Sequence, residues 1–110
     1  MTTPDLNSKQ LAEMQQHAQA AAALLKALSN ENRLMILCTL ITGEMSVGEL
    51  NERVPLSQSA LSQHLASLRE AGLVITRKEA QTVYYSLLGD EAQKIIAVLQ
   101  SIYCPTEPHN

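Results

Sequence analysis

Residues 46–87 run SVGELNERVPLSQSALSQHLASLREAGLVITRKEAQTVYYSL, and the punctuation of that stretch decides the fold. Ser46-Val47-Gly48-Glu49 fits a capping box, in which a serine and a glutamate three residues on satisfy each other's backbone amides. A short helix is therefore predicted from there through Val54. Pro55 stops it, because the residue before a proline is pushed out of the helical region. Ser57 then caps a longer helix that runs to Ala71 and closes at Gly72, with Leu61, Leu65 and Leu68 on one face. Leu73 to Lys78 and Thr82 to Leu87 read as β-rich strands joined by a short loop around Glu79-Ala80-Gln81, a hairpin. Short helix, tight turn, longer helix and hairpin, in that order, make a helix-turn-helix followed by a wing.

Working outward, Met1 to Ser8 carries Pro4, Asp5 and Asn7 and is expected to be a disordered arm. From Lys9 to Leu28 the positions Leu11, Met14, Ala18, Ala21, Leu25 and Leu28 recur at spacings of three and four, a helix with a narrow apolar seam. Ser29 is the expected N-cap of a second helix that stops at Gly43, with Leu34, Leu37, Cys38 and Ile41 as its buried stripe. After the wing, Gly89-Asp90 opens a last helix with Ala92, Ile95, Ile96, Leu99, Ile102 and Tyr103 inward, reaching Cys104. Pro105 and Pro108 lie in an expected flexible tail over 105–110. The fold class is therefore mainly α with a small β-hairpin wing, ordered α-α-α-α-β-β-α, in one domain over residues 9–104.

The chain has 110 residues, 45% of them apolar, enough for a core and for a buried subunit interface besides. Its net charge of −3 argues at first against nucleic acid. Distribution weakens that objection, since phosphate is bound by a local patch. Residues 57–88 hold Arg69, Arg77 and Lys78 against Glu70 and Glu79, the only net-positive third. No signal peptide, membrane span or lipidation motif is visible, so a cytoplasmic location is expected, with no membrane partner. There a standing disulfide between Cys38 and Cys104 would be unusual; the two are ordinary buried thiols or a redox pair. His17, His64 and His109 lie in separate segments without ligand spacing, so neither a metal nor another cofactor is expected.

A helix that reads a major groove needs short polar groups near its N-terminus. Ser57, Gln58, Ser59, Ser62 and Gln63 supply them, with Gln58 and Gln63 able to bond adenine edges bidentately. An ordinary solvated face usually carries Lys, Glu and Arg, whereas this one carries Ser and Gln through two turns. His64 flanks the Leu61/Leu65 face and either packs there or meets a phosphate. In the wing, Arg77, Lys78, Gln81 and Thr82 are phosphate or minor-groove candidates, or a solvated hairpin tip. Arg33 either touches backbone or caps its own helix. Double-stranded operator DNA is the expected partner. The alternatives are a winged-helix repressor controlled by some other ligand or by none and, after it, a protein-interaction module on the same scaffold; an enzyme is not expected, because no segment presents a nucleophile, a base and an oxyanion-stabilising turn together.

The runs Leu24 to Leu37, Ser46 to Leu50, Leu56 to Leu65 and Leu68 to Val74 resemble the ArsR/SmtB family of winged-helix repressors, over about residues 11–104. That resemblance implies a homodimer formed through the first and last helices, matching the two apolar seams. Most members sense metals through cysteines in the third helix or a His/Asp set in the last. Here Ser46 to Val54 has no Cys, and Asp90 to Cys104 has no His. Instead, Ile36-Leu37-Cys38, Ile102-Tyr103-Cys104 and Arg77 to Tyr85 resemble the HlyU/BigR/SqrR branch. The resemblance implies a repressor that releases DNA when a persulfide or another thiol oxidant modifies Cys38 and Cys104.

The chemistry of the two thiols is uneven. Cys104 ends a helix beside the tail and is reachable, while Cys38 sits amid Leu34, Leu37 and Ile41, which should raise its pKa. Periodicity alone favours Cys38 as a small core residue; the resemblance implies a switch.

Overall fold

The computed structural model describes residues 7–104. Five helices and three short strands follow in the order α1 (Ser8–Leu28), α2 (Glu31–Ile41), β1 (Met45–Ser46), α3 (Val47–Arg53), α4 (Gln58–Glu70), β2 (Val74–Glu79), β3 (Thr82–Leu87) and α5 (Glu91–Tyr103). The helix-turn-helix and wing read from residues 46–87 are present in the expected order. Helix α1 begins at Ser8, because Asn7 and Gln10 close a reciprocal capping box with bonds of 2.8 and 3.0 Å. The arm expected over 1–8 is thus shorter at its inner end; residues 1–6 and the tail 105–110 lie outside the described residues.

Two further boundaries differ. The N-cap of α2 is Asn30, whose Oδ1 accepts from the amides of Asn32 and Arg33. Ser29 instead ends α1, its hydroxyl donating to the Lys26 carbonyl. Both residues are competent caps, and spacing does not separate neighbours. The wing is also tighter than expected. Glu79 pairs with Thr82, leaving Ala80-Gln81 as a two-residue turn with Ala80 at φ +55°. That left-handed conformation costs an alanine more than a glycine.

The strand β1 has no counterpart in the sequence expectations. Met45 and Ser46 pair with Tyr85 and Tyr84, so the sheet has three antiparallel strands in the order β1-β3-β2. The wing is therefore anchored to the segment that leads into α3.

The core is aliphatic. Ile36, Leu37, Leu50, Leu61, Leu65 and Leu68 are fully buried, drawn from α2, α3 and α4, and Ala92 and Ile96 of α5 close over them. In α2 the fully buried residues are Ile36, Leu37 and Leu40, while Leu34, Cys38 and Ile41 are half-buried at the margin. The stripe is rotated from the expected one. In α5 the expectation fails at the C-terminal end: Ile102 and Tyr103 are 60% and 77% exposed. Leu11, Met14 and Leu25 of α1 are exposed as well. The periodicity that marks these faces apolar holds; nothing among the described residues covers them.

Candidate nucleic-acid interface and thiol groove

The turn of the helix-turn-helix is fixed from both sides. Ser46 and Glu49 make the capping box that starts α3. Asn51 of α3 donates through Nδ2 to the Leu56 carbonyl at 2.8 Å, and the Leu56 amide bonds the Val54 carbonyl at 2.8 Å. Ser57 then caps α4 by accepting from the Ala60 amide. With Leu61, Leu65 and Leu68 locked into the core, the opposite face of α4 can only point outward. Ser57, Gln58, Ser59, Ser62 and Gln63 are all exposed, and His64 is half-buried at the edge.

A cleft joins this face to the wing. Ser46, Val47 and Gly48 at the start of α3, Gln58 and Ser62 of α4, and Gln81, Thr82 and Val83 of the wing line it together. The structure thus brings Gln58, Ser62, Gln81 and Thr82 to one surface depression. Lys78 is exposed on β2. Arg33 is half-buried, and its Nε is a buried nitrogen with no partner among the described residues.

Arg77 stands apart from the other wing residues. Its Nε donates to Glu44 Oε2 at 3.0 Å and its Nη2 to Glu44 Oε1 at 2.8 Å, a bidentate pair. Nη1 donates to Glu79 Oε1 at 3.0 Å, and the guanidinium lies 4.6 Å from the centre of the Tyr84 ring. Hydrogen bonding from Arg77 holds the Glu44 carboxyl below its ordinary range, and bonding to Glu44 and then Glu79 holds the Arg77 proton more firmly still. Glu44 was not legible as a partner. It lies 33 residues from Arg77, and only the β1-β3 pairing brings the two together.

Cys38 and Cys104 line a single groove between α2 and α5, with Leu34, Met35, Ile96, Leu99, Gln100 and Tyr103. Both are free thiols, Cys38 half-buried and Cys104 exposed. Burial pushes the Cys38 thiol up, and the neighbouring Cys104 adds to the shift. Among the described residues no group of His, Cys, Asp and Glu could hold a metal ion, and no helix is long and apolar enough to cross a membrane.

Residues 30–76 match the family described as bacterial regulatory protein, arsR family. The chain is 57% identical over 94 residues to the transcriptional activator HlyU of Vibrio cholerae, spanning 86% of this chain and 87% of that one. It is 45% identical over 103 residues to the biofilm growth-associated repressor of Agrobacterium fabrum, spanning 94% and 88%. Among solved structures, reduced HlyU from Vibrio cholerae superposes with a TM-score of 0.77 at 58% identity, over 84% of this chain and 97% of that one. These relatives are regulators, not enzymes. A helix-turn-helix with a polar outward face, a wing across a shared cleft and similarity to such proteins over 84–94% of the chain lead to one assignment: the chain belongs to the arsR family of DNA-binding, winged-helix transcriptional regulators.

Proposed function

We propose that the protein is a cytoplasmic, homodimeric repressor whose grip on operator DNA is broken when Cys38 and Cys104 become linked. Two copies pair through α1 and α5. Each inserts the Ser57, Gln58, Ser59, Ser62 and Gln63 face of α4 into a major groove, with His64 at its edge and Lys78, Gln81 and Thr82 of the wing beside the backbone. The two grooves lie about 34–36 Å apart along the duplex, so the pairing geometry of the dimer sets the affinity.

The observation that carries the switch is the placement of the two thiols in one apolar groove, between a core helix and a helix of the proposed dimer face. The solved HlyU relative is described as reduced, which names a redox state for that protein. The chemistry closes with a persulfide alone. The Cys104 thiolate attacks the sulfane sulfur of an organic persulfide, forming a protein persulfide and releasing the organic thiol. Cys38 then attacks the inner sulfur of that persulfide and hydrogen sulfide leaves. The two protein thiols are oxidised, the transferred sulfur is reduced to sulfide, and the protons leave with the thiol and the sulfide. Where the backbone holds the pair too far apart for a plain disulfide, a second organic persulfide first adds one sulfur to the Cys104 persulfide and releases a second organic thiol. Cys38 then attacks the sulfur next to the terminal one, expelling hydrogen sulfide and closing a trisulfide.

The test is fluorescence anisotropy on an operator duplex, with reduced and cysteine-persulfide-treated protein, beside Cys38→Ser and Cys104→Ser, and intact mass on each sample. Treated wild-type protein is expected to release DNA and to lose the mass of two hydrogens, with one sulfur atom gained for each sulfur inserted between the two cysteines. Both variants should stay bound. Release that survives in both variants, or an unmodified wild-type pair, removes the thiol switch and leaves a regulator under other control.

A further inference from the structure

Arg77, a basic candidate in the wing, is half exposed but already engaged by other groups in this structure. All three guanidinium nitrogens are engaged by carboxylates, and its flat face is covered by a tyrosine ring. The geometry points to a different role: Arg77 and Glu44 form a strut that holds the wing at a fixed distance from the recognition helix, so that Arg77 is a positioning residue rather than a phosphate contact.

The topology gives the strut its leverage. The sheet order is β1-β3-β2, so β2 is the outer strand of the wing, separated from β1 by β3. Arg77 lies on β2 directly opposite Tyr84 on β3, and Tyr84 in turn faces Ser46 on β1. The Arg77 side chain therefore crosses the full width of the sheet, over Tyr84, to reach Glu44 on the far side. Glu44 immediately precedes β1, and Ser46 at the other end of β1 is the N-cap of α3. One ion pair thus ties the outer wing strand to the residues that start the helix-turn-helix. Gln81 and Thr82 at the wing tip share a cleft with Gln58 and Ser62 of α4, and the strut sets how wide that cleft stands. A two-stranded ribbon is marginal by itself, and Arg77–Tyr84 lies only two register pairs from the Ala80-Gln81 turn, so a brace there decides where the tip sits.

The two roles for Arg77 predict opposite signs for its partner. If Arg77 were a phosphate contact, Glu44 would compete with DNA for it. Glu44→Gln would then free the guanidinium, tighten binding and steepen the salt dependence, and Arg77→Gln would reduce the salt slope by about one per wing. If the pair is a strut, Glu44→Gln weakens operator binding even though it removes a negative charge beside a polyanion. Arg77→Gln weakens it to a similar degree, and the double variant is no worse than either single one. The slope of log Kd against log salt stays at the wild-type value in all three. An exposed pair of this kind is worth up to about five-fold per wing in Kd.

The experiment is an anisotropy titration of an operator duplex at four or more salt concentrations, with wild-type protein, Glu44→Gln, Arg77→Gln and the double variant. Amide exchange on each protein confirms that α4 stays protected while the Ala80-Gln81 turn opens faster. Weaker binding by both single variants, non-additive and with an unchanged slope, supports the strut. A tighter-binding Glu44→Gln, a reduced slope in Arg77→Gln, or no effect of Glu44→Gln overturns it.

Discussion

Two apolar faces have no partner among the described residues, and their burial against a second copy can be tested by one substitution. Ile102 is 60% exposed at the end of α5, and Leu11, Met14, Leu25 and Val98 are exposed to between 49% and 58%. Fully burying an isoleucine is worth about 1.5–3 kcal/mol, so covering the exposed part of Ile102 contributes about 1–2 kcal/mol. A two-fold interface uses each residue twice. Ile102→Ala keeps one methyl of the side chain, so the loss per dimer is roughly 2–3 kcal/mol, a dimer Kd raised about 30- to 150-fold. Sedimentation velocity across a concentration series reads this directly. Ile75 is the control, because it is 48% exposed yet lies on the wing strand β2 and on neither helix; Ile75→Ala should leave the dimer unchanged. A wild-type protein that sediments as a monomer at micromolar concentration, or equal dimer constants for all three proteins, would refute pairing through these faces.

Cys38 should be slow towards alkylating agents. A thiol titrating at its ordinary 9.0 is only about 1% ionised at pH 7, and burial pushes Cys38 above that value. Iodoacetamide labelling followed by peptide mass spectrometry should find Cys104 modified first and the midpoint for Cys38 above that of an ordinary thiol; equal rates at the two sites would contradict the burial argument. Leu65→Ala, at a position of zero exposure between α4 and the core, should cost about 2–5 kcal/mol in urea unfolding. A loss below 1 kcal/mol would mean the core relaxes around α4. Gln63→Ala, exposed on α4, should weaken specific operator binding by about 1–3 kcal/mol per half-site while leaving binding to unrelated duplexes unchanged; an equal loss on every duplex would make Gln63 a backbone contact.

The helices of this fold are legible in the sequence because their ends carry chemistry. Ser46 and Glu49, Pro55 and Ser57 each act on the backbone next to them, and the structure places a cap or a stop at each. Legibility fails where a signal is shared or the partner is distant. Ser29 and Asn30 are both good caps, and the choice between them depends on how α1 ends. Ile102 and Tyr103 carry the right period for a core face, but period says that a face is apolar and not what covers it. Glu44 and Arg77 belong to different elements, and their pairing exists only because a two-residue strand, too short to be read from its pattern, joins the wing. The thiols fall between these cases. The position of Cys38 on an inward-leaning stripe is readable, whereas the groove that it shares with Cys104 follows from how α5 crosses α2.

That crossing also decides which side of the groove would move on linkage. Helix α2 is fixed by Ile36, Leu37 and Leu40, all buried on the turns around Cys38. In α5 only Ala92 and Ile96 are buried, both in its first half, and the last turn before Cys104 carries exposed Ile102 and Tyr103. A bond between the two cysteines therefore draws a loosely held helix end towards a rigid helix, not the reverse. Tyr103 lines the thiol groove and is also 77% exposed at the end of the proposed dimer face. Shortening the groove shifts the very surface on which the second chain would sit. Because a symmetric pair would feel the shift twice, the proposed linkage would act on both halves of the dimer at once.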